Sequence, residues 1–153
     1  MNGRLITMDM VIKHFSELTV DELYEILTLR SDIFIIEQTC VYPDCDGNDD
    51  KAYHLFVRCD NKITGCLRIL RKNVTFDTEA IGRVAVHMDY RHMGIAKAMM
   101  GQAIEFARNM GAKTIKLAAQ EYLKDFYGTL GFEPISEPYV EDGISHVNME
   151  LKG

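Results

Sequence analysis

An α/β domain, with a mixed α+β sheet of six or seven strands and about four helices, is the fold predicted by three features of this sequence. Two β-type runs, residues 81–86 and 114–118, bracket a stretch in which Ile95, Met99, Ala103 and Ala107 recur every fourth residue. That order is a strand-helix-strand unit, whose crossover is right-handed. Upstream, residues 54–59 and 63–70 flank Asp60-Asn61-Lys62, which is hairpin chemistry. Finally, 153 residues with 47% hydrophobic content suffice for one core and call for no second domain, so residues 1–153 read as a single unit.

Taken in order, residues 10–15 read as a first strand. Thr19-Val20-Asp21-Glu22 forms a capping box for a helix through about Phe34, with Leu23, Ile26, Leu27 and Phe34 as its apolar stripe. Arg30 falls on that stripe, where a charge has to be paired, face a cleft or snorkel outward. The β-branched residues 33–36 favour an early exit from the helix. Residues 41–51 hold Pro43, Gly47 and several aspartates and read as a solvated acidic loop near a substrate mouth. The hairpin strands follow, then the strand at 81–86 and a helix to about Asn109 that stops at Gly111. A strand at 114–118 precedes a helix marked by Leu123, Phe126, Tyr127 and Leu130, ended by Gly131. Val147, Met149 and Leu151 alternate in a closing strand at 145–151. The sequence shows no internal repeat and no linker.

Composition excludes several classes of function. A net charge of −6 and a pI near 5.3 repel polyanions, so nucleic acid is not expected as a partner. No apolar run reaches bilayer-spanning length and residues 1–4 lack the apolar segment of a leader, so no membrane partner and a cytoplasmic location are expected. Cys40, Cys45, Cys59 and Cys66 then read as reduced thiols. Cys40 and Cys45 have no second Cys/His pair of matching spacing, and Asp44-x-Asp46-x-Asn48 fails as a calcium loop at Asp49 and Leu55. No metal is expected.

The most informative segment is Arg91-His92-Met93-Gly94-Ile95-Ala96, between the strand at 81–86 and the following helix. Unsatisfied amide groups at a helix start, the positive end of the helix dipole and a cationic Arg91 favour an anion there, and Gly94 lets the backbone come close to it. With Tyr127-x-x-x-Gly131-Phe132 downstream, the chain resembles the GNAT superfamily of N-acetyltransferases, whose acyl-CoA signature is Arg/Gln-x-x-Gly-x-Gly/Ala after the fourth strand. Leu29-Arg30, residues 34–38, Ala119-Gln120, Phe126-Tyr127 and Tyr139-x-Glu141-Asp142-Gly143-Ile144-x-His146 resemble its ElaA-like branch.

That resemblance implies the GNAT acyl-CoA N-acyltransferase fold and transfer of an acetyl group from acetyl-CoA to a primary amine, on a small molecule or a peptide, by direct attack in a ternary complex. It implies that the fourth and fifth strands splay, that Val84, Ala85 and Val86 hold the pantetheine, that residues 91–96 hold the pyrophosphate and that Tyr127 protonates the leaving thiolate. Gln120 stands where relatives often carry an asparagine, and still suits an amide contact. Many relatives place a basic glutamate within the fourth strand, where this chain has Arg83. Glu37, His54, Glu141 and His146 remain as candidate bases, with Glu37, Arg30, His54, Glu141, Asp142 and His146 as candidates around the acceptor. Glu37 has the alternative of pairing with Arg30 or Arg83. A homodimer is compatible with this reading. Two rivals stand beside it: a catalytically silent acyl-CoA sensor, and a phosphate-binding module for another nucleotide.

Overall fold

The computed structural model describes residues 8–153; residues 1–4, where the sequence lacks a leader-type apolar segment, lie outside the described residues. Strands β1 (Met8–His14), β2 (Ala52–Cys59), β3 (Lys62–Leu70) and β4 (Glu79–Val86) form an antiparallel run. Asp60 and Asn61, with φ of 54° and 65°, make the two-residue turn between β2 and β3. Positive φ at both central residues is what the right-handed twist of a tight hairpin requires.

Strand β5 (Thr114–Gln120) joins β4 in parallel and pairs along its full length with β8 (Ile144–Lys152). The outer edge of β8 carries β6 (Glu133–Pro134) near one end and β7 (Tyr139–Glu141) near the other. The sheet therefore has eight strands among the described residues, beyond the six or seven expected. The additional ones span two and three residues, too short for alternation to show.

Among the described residues three α-helices complete the fold, where about four were expected: α1 (Val20–Ser31), α2 (Ile95–Asn109) and α3 (Lys124–Thr129). In β2 the period of two sends Leu55, Val57 and Cys59 to the α2 face and Phe56 to the α1 face. Met99, Met100, Ala103 and Ala107 of α2 are fully buried against the first face, and Ile26 and Leu29 of α1 cover the second. The capping box forms as expected, the Glu22 amide donating to Thr19 Oγ1 at 3.1 Å and the Thr19 amide to Glu22 Oε1 at 2.9 Å.

The first helix does not continue to Phe34. It ends at Ser31 and opens into a π-helical turn, Asp32–Glu37, in which the Gln38 amide donates to the Ile33 carbonyl at 3.3 Å and Cys40 to Ile35 at 3.0 Å. The wider ring relieves crowding among Ile33, Ile35 and Ile36, whose branched side chains fit an α-helix poorly. No helix among the described residues is long and apolar enough to cross a membrane.

Candidate active site

The site begins with a break in the sheet. Strands β4 and β5 pair at Glu79↔Ile115 and Ala80↔Lys116 and then part. A register shift against β3 puts an additional residue into β4, where Arg83 adopts a φ of 53°. Such a bulge bends its strand and increases the local twist. The gap opens into a cavity of about 670 Å³, with Val84, Ala85 and Val86 on one wall and Leu117, Ala118 and Gln120 on the other. The His87 amide donates to Thr64 on β3 at 2.7 Å, so alternation turns the polar groups of Val86 toward the gap, where its carbonyl accepts Arg91 Nε at 3.0 Å.

At the wide end of the gap His92 and Gly94 both take positive φ, 64° and 78°, and Gly94 is the N-cap of α2. A Cβ at Gly94 would meet nothing within 4 Å, so backbone conformation is what calls for glycine there. The first amide groups of α2 have no acceptor within the helix, and with its dipole they form an anion-binding concavity. Arg91, His92, Gly94, Ile95 and Ala96 line the cavity. Met93 is not among the lining residues and is 45% exposed, and the Ile95 side chain is buried in the core, so the turn contributes backbone at those positions.

Tyr127 lines the same cavity from α3 and is 6% exposed. Phe126 and Phe132 stand edge-on to its ring at centroid distances of 5.1 and 6.1 Å. Burial raises its phenol well above the ordinary tyrosine value, so the hydroxyl keeps its proton across the physiological range. Gln120 and Gln38 exchange reciprocal amide hydrogen bonds of 3.1 Å across the gap. Both line the cavity.

At the other end the wall is built from the segment after α1 and from the β7–β8 hairpin, and includes Ile33, Phe34, Tyr42, Asp142 and His146. His146 stacks on Tyr139 at 6.0 Å, and its Nδ1 lies 2.8 Å from the Ile144 carbonyl. A carbonyl only accepts, so Nδ1 carries the proton and the lone pair of the neutral ring is on Nε2. Cys40 Sγ donates to the Asp142 carbonyl at 3.0 Å, tying the two segments together.

Several expected site residues are placed elsewhere. Arg30 is 1% exposed and faces no cleft; it holds Asp44 at 2.8 Å and Asp49 at 2.7 Å. His54 is also 1% exposed, with Nε2 2.9 Å from the Asp49 carbonyl, and burial lowers its pKa. Glu141 does not line the cavity. Glu37 does not line it either, and it pairs neither with Arg30 nor with Arg83; its carboxylate grips both terminal nitrogens of Arg91 at 2.7 Å. The loop at 41–51 is largely exposed, and Tyr42, Pro43 and Asp44 line the cavity as a loop near a substrate mouth would, but three of its aspartates are not free in solvent. Asp44, Asp46 and Asp49 fold inward onto Arg30, Arg68 and Arg83. Sequence reasoning missed this network because the partners lie up to 39 residues apart; the one signal was an arginine on the apolar stripe of α1, which left pairing, a cleft or an outward-reaching head open. Among the described residues no group of three or more His, Cys, Asp or Glu is arranged to hold a metal.

Comparison with known proteins agrees with this geometry. The model of the acetyltransferase (GNAT) domain matches residues 35–153. A UPF0039 protein of Schizosaccharomyces pombe is 39% identical over 148 residues, 95% of this chain and 97% of its own length. Protein ElaA of Escherichia coli is 35% identical over 139 residues, 89% of this chain and 91% of its own. The crystal structure of Escherichia coli ElaA superposes with a TM-score of 0.89 at 32% identity, covering 95% of this chain and all of that one. An acyl-CoA N-acyltransferase of Pseudomonas aeruginosa gives 0.89 at 33% identity, covering 95% and 99%. With a parted fourth and fifth strand, an uncapped helix start beside them and these relatives, the chain belongs to the GNAT acetyltransferase family, in its ElaA-like branch, and is an acyltransferase.

Proposed function

We propose that the cleft moves an acetyl group from acetyl-CoA to a primary amine by direct attack in a ternary complex. The observation that carries this reading is the parting of β4 and β5 directly beside the amide turn of α2. The open edge of β4 suits the peptide-like amides of a pantetheine arm, and residues 91–96 suit its pyrophosphate. Bound there, acetyl-CoA supplies a thioester carbonyl open to attack.

The chain's own residues then act at two protons. An alkyl amine with a pKa of about 10 arrives protonated and has to lose a proton before it attacks. His146 Nε2 accepts it, directly or through water, with Nδ1 anchored to the Ile144 carbonyl. Asp142, in the same wall, stabilises the incoming ammonium. The Tyr127 hydroxyl, held neutral by its burial, delivers a proton to the departing sulfur. Glu37 is poorly placed to act as the base, because it does not line the cavity and the Arg91 hydrogen bonds lower its pKa and occupy both of its oxygens.

Steady-state kinetics of Tyr127→Phe with acetyl-CoA and a panel of amines, peptides and polyamines test the assignment. The expected loss in kcat is roughly 10²-fold or more, with acetyl-CoA binding nearly unchanged. Turnover within twofold of the parent on the best amine would overturn the role of Tyr127.

A further inference from the structure

Glu37, which closes the π-helical turn, and Gln38 and Cys40 just past it reach three separate elements on the far side of the cleft. Glu37 grips Arg91 of the amide turn, Gln38 pairs with Gln120 at the end of β5, and Cys40 donates to the Asp142 carbonyl in the β7–β8 turn. The chain at 37–40 is thus a strap held at three points, and Thr39 takes a φ of 49° within it. Its first contact is chemically distinct from the others. A carboxylate and a phosphate recognise a guanidinium through the same paired N–H donors. Glu37 already occupies that pair, and Arg91 Nε is committed to the Val86 carbonyl at 3.0 Å. The charge that Arg91 brings to the amide turn is therefore cancelled from within the chain. Both side chains are about one-third exposed, 33% and 32%, so the pair is weak enough to exchange with a ligand.

We propose that Glu37 is an internal anion that occupies Arg91 until the pyrophosphate of the acyl donor displaces it, and so sets the donor affinity of the site. This rests on the reading of residues 91–96 as the donor's pyrophosphate cradle. It makes Glu37 a residue that opposes donor binding, where a carboxylate serving the acceptor amine would leave donor binding untouched.

Calorimetric titration with coenzyme A across a double-mutant cycle tests it. Glu37→Gln keeps the shape, removes the charge and is expected to tighten binding about two- to fivefold, the range that an exposed ion pair can supply. Glu37→Ala, which cannot hydrogen-bond Arg91 at all, is expected to show the same direction. In an Arg91→Ala background the gain is expected to vanish, because the exchange has lost its partner. Weaker or unchanged affinity in Glu37→Gln would overturn the proposal and make Glu37 a support that positions Arg91. A gain that persists without Arg91 would also overturn it, by reducing the effect to general repulsion of a polyanion. Failure of the underlying reading looks different: Arg91→Ala alone would then leave coenzyme A affinity unchanged.

Discussion

The arginine–aspartate network shows how a single side chain decides what a loop can be. Arg30 and Arg68 are 1% and 4% exposed, and a charge so far from water needs a partner or it destabilises the fold by several kcal/mol. Asp49 sits between them, 2.7 Å from one and 3.0 Å from the other. Burial works to raise its carboxyl, and the two guanidiniums outweigh this and hold it below the ordinary value of 3.8. Hydrogen bonding from Arg68 holds Asp46 lower still. For carboxyls lowered by folding, the stability they lend is complete above their unfolded value and is lost as pH falls through the folded ones. Urea midpoints are therefore expected to be flat from about pH 7 to about pH 4 as far as this cluster is concerned, and to fall below that. Asp49→Asn leaves two buried guanidiniums short of a charge and is expected to cost about 3 kcal/mol at neutral pH, with a shallower acid limb. Parallel acid limbs in the two proteins would show that Asp49 does not carry this linkage. Arg30 itself announced a partner or a cleft in the sequence; which of the two, and which aspartates, depended on contacts across 14 and 19 residues that no local pattern encodes.

Two of the helices end in one device, and the comparison isolates what it does for the site. Gly111 donates to the Arg108 carbonyl at 2.9 Å and Ala112 to Ala107 at 3.0 Å; after α3, Gly131 donates to Gly128 at 3.0 Å and Phe132 to Tyr127 at 3.2 Å. Both are Schellman terminations, and the second fixes the main chain of Tyr127. Gly111 and Gly131 have φ of 102° and 101°, but a Cβ at Gly111 meets nothing, whereas one at Gly131 lies 2.9 Å from Leu151 Cδ1. Gly111→Ala is expected to cost about 1 kcal/mol from backbone strain, and Gly131→Ala about 1 kcal/mol more from the clash. Thermal or urea unfolding of the two variants measures that difference; equal losses would mean that Leu151 swings aside freely. Elements of this kind were legible in the sequence wherever a period repeats. Helix α2 and strand β4 were read within two residues of their bounds, because apolar spacing and a stop glycine speak at the same place. Strands β6 and β7 were not, since residues such as Val140 and Glu133 are exposed and owe their conformation to pairing with β8.

For the whole molecule the weak seam is also the useful one. Four strands from β1 to β4 form one half of the sheet and β5 to β8 the other, and two residue pairs join them directly. The fold class and the amide turn were readable in the sequence because they depend on element order and on a short motif. The acceptor end was read less well, because it is assembled from a π-helical segment, a loop and a hairpin turn that meet only after folding. A donor lying between β4 and β5 replaces missing strand contacts and binds the native state alone, so it stabilises by mass action. At about 100 times its dissociation constant that amounts to about 2.7 kcal/mol, or an upward shift of roughly 5–10 °C in Tm for a chain of this size. Thermal melts with coenzyme A measure it, and no shift at saturating concentration would mean that the seam is not where the donor binds.

The π-helical turn makes the site sensitive to chain length in a way that residue identity is not. A π-turn holds one residue more than the α-helical path it replaces, and each residue advances a helix by about 100°. Changing Ile35 or Ile36 alters packing and leaves Glu37, Gln38 and Cys40 aimed where they are. Deleting one residue among 32–36 while the wide turn persists is expected to turn all three away from Arg91, Gln120 and Asp142 together. In this stretch a codon lost in frame is expected to be a graver lesion than a codon changed.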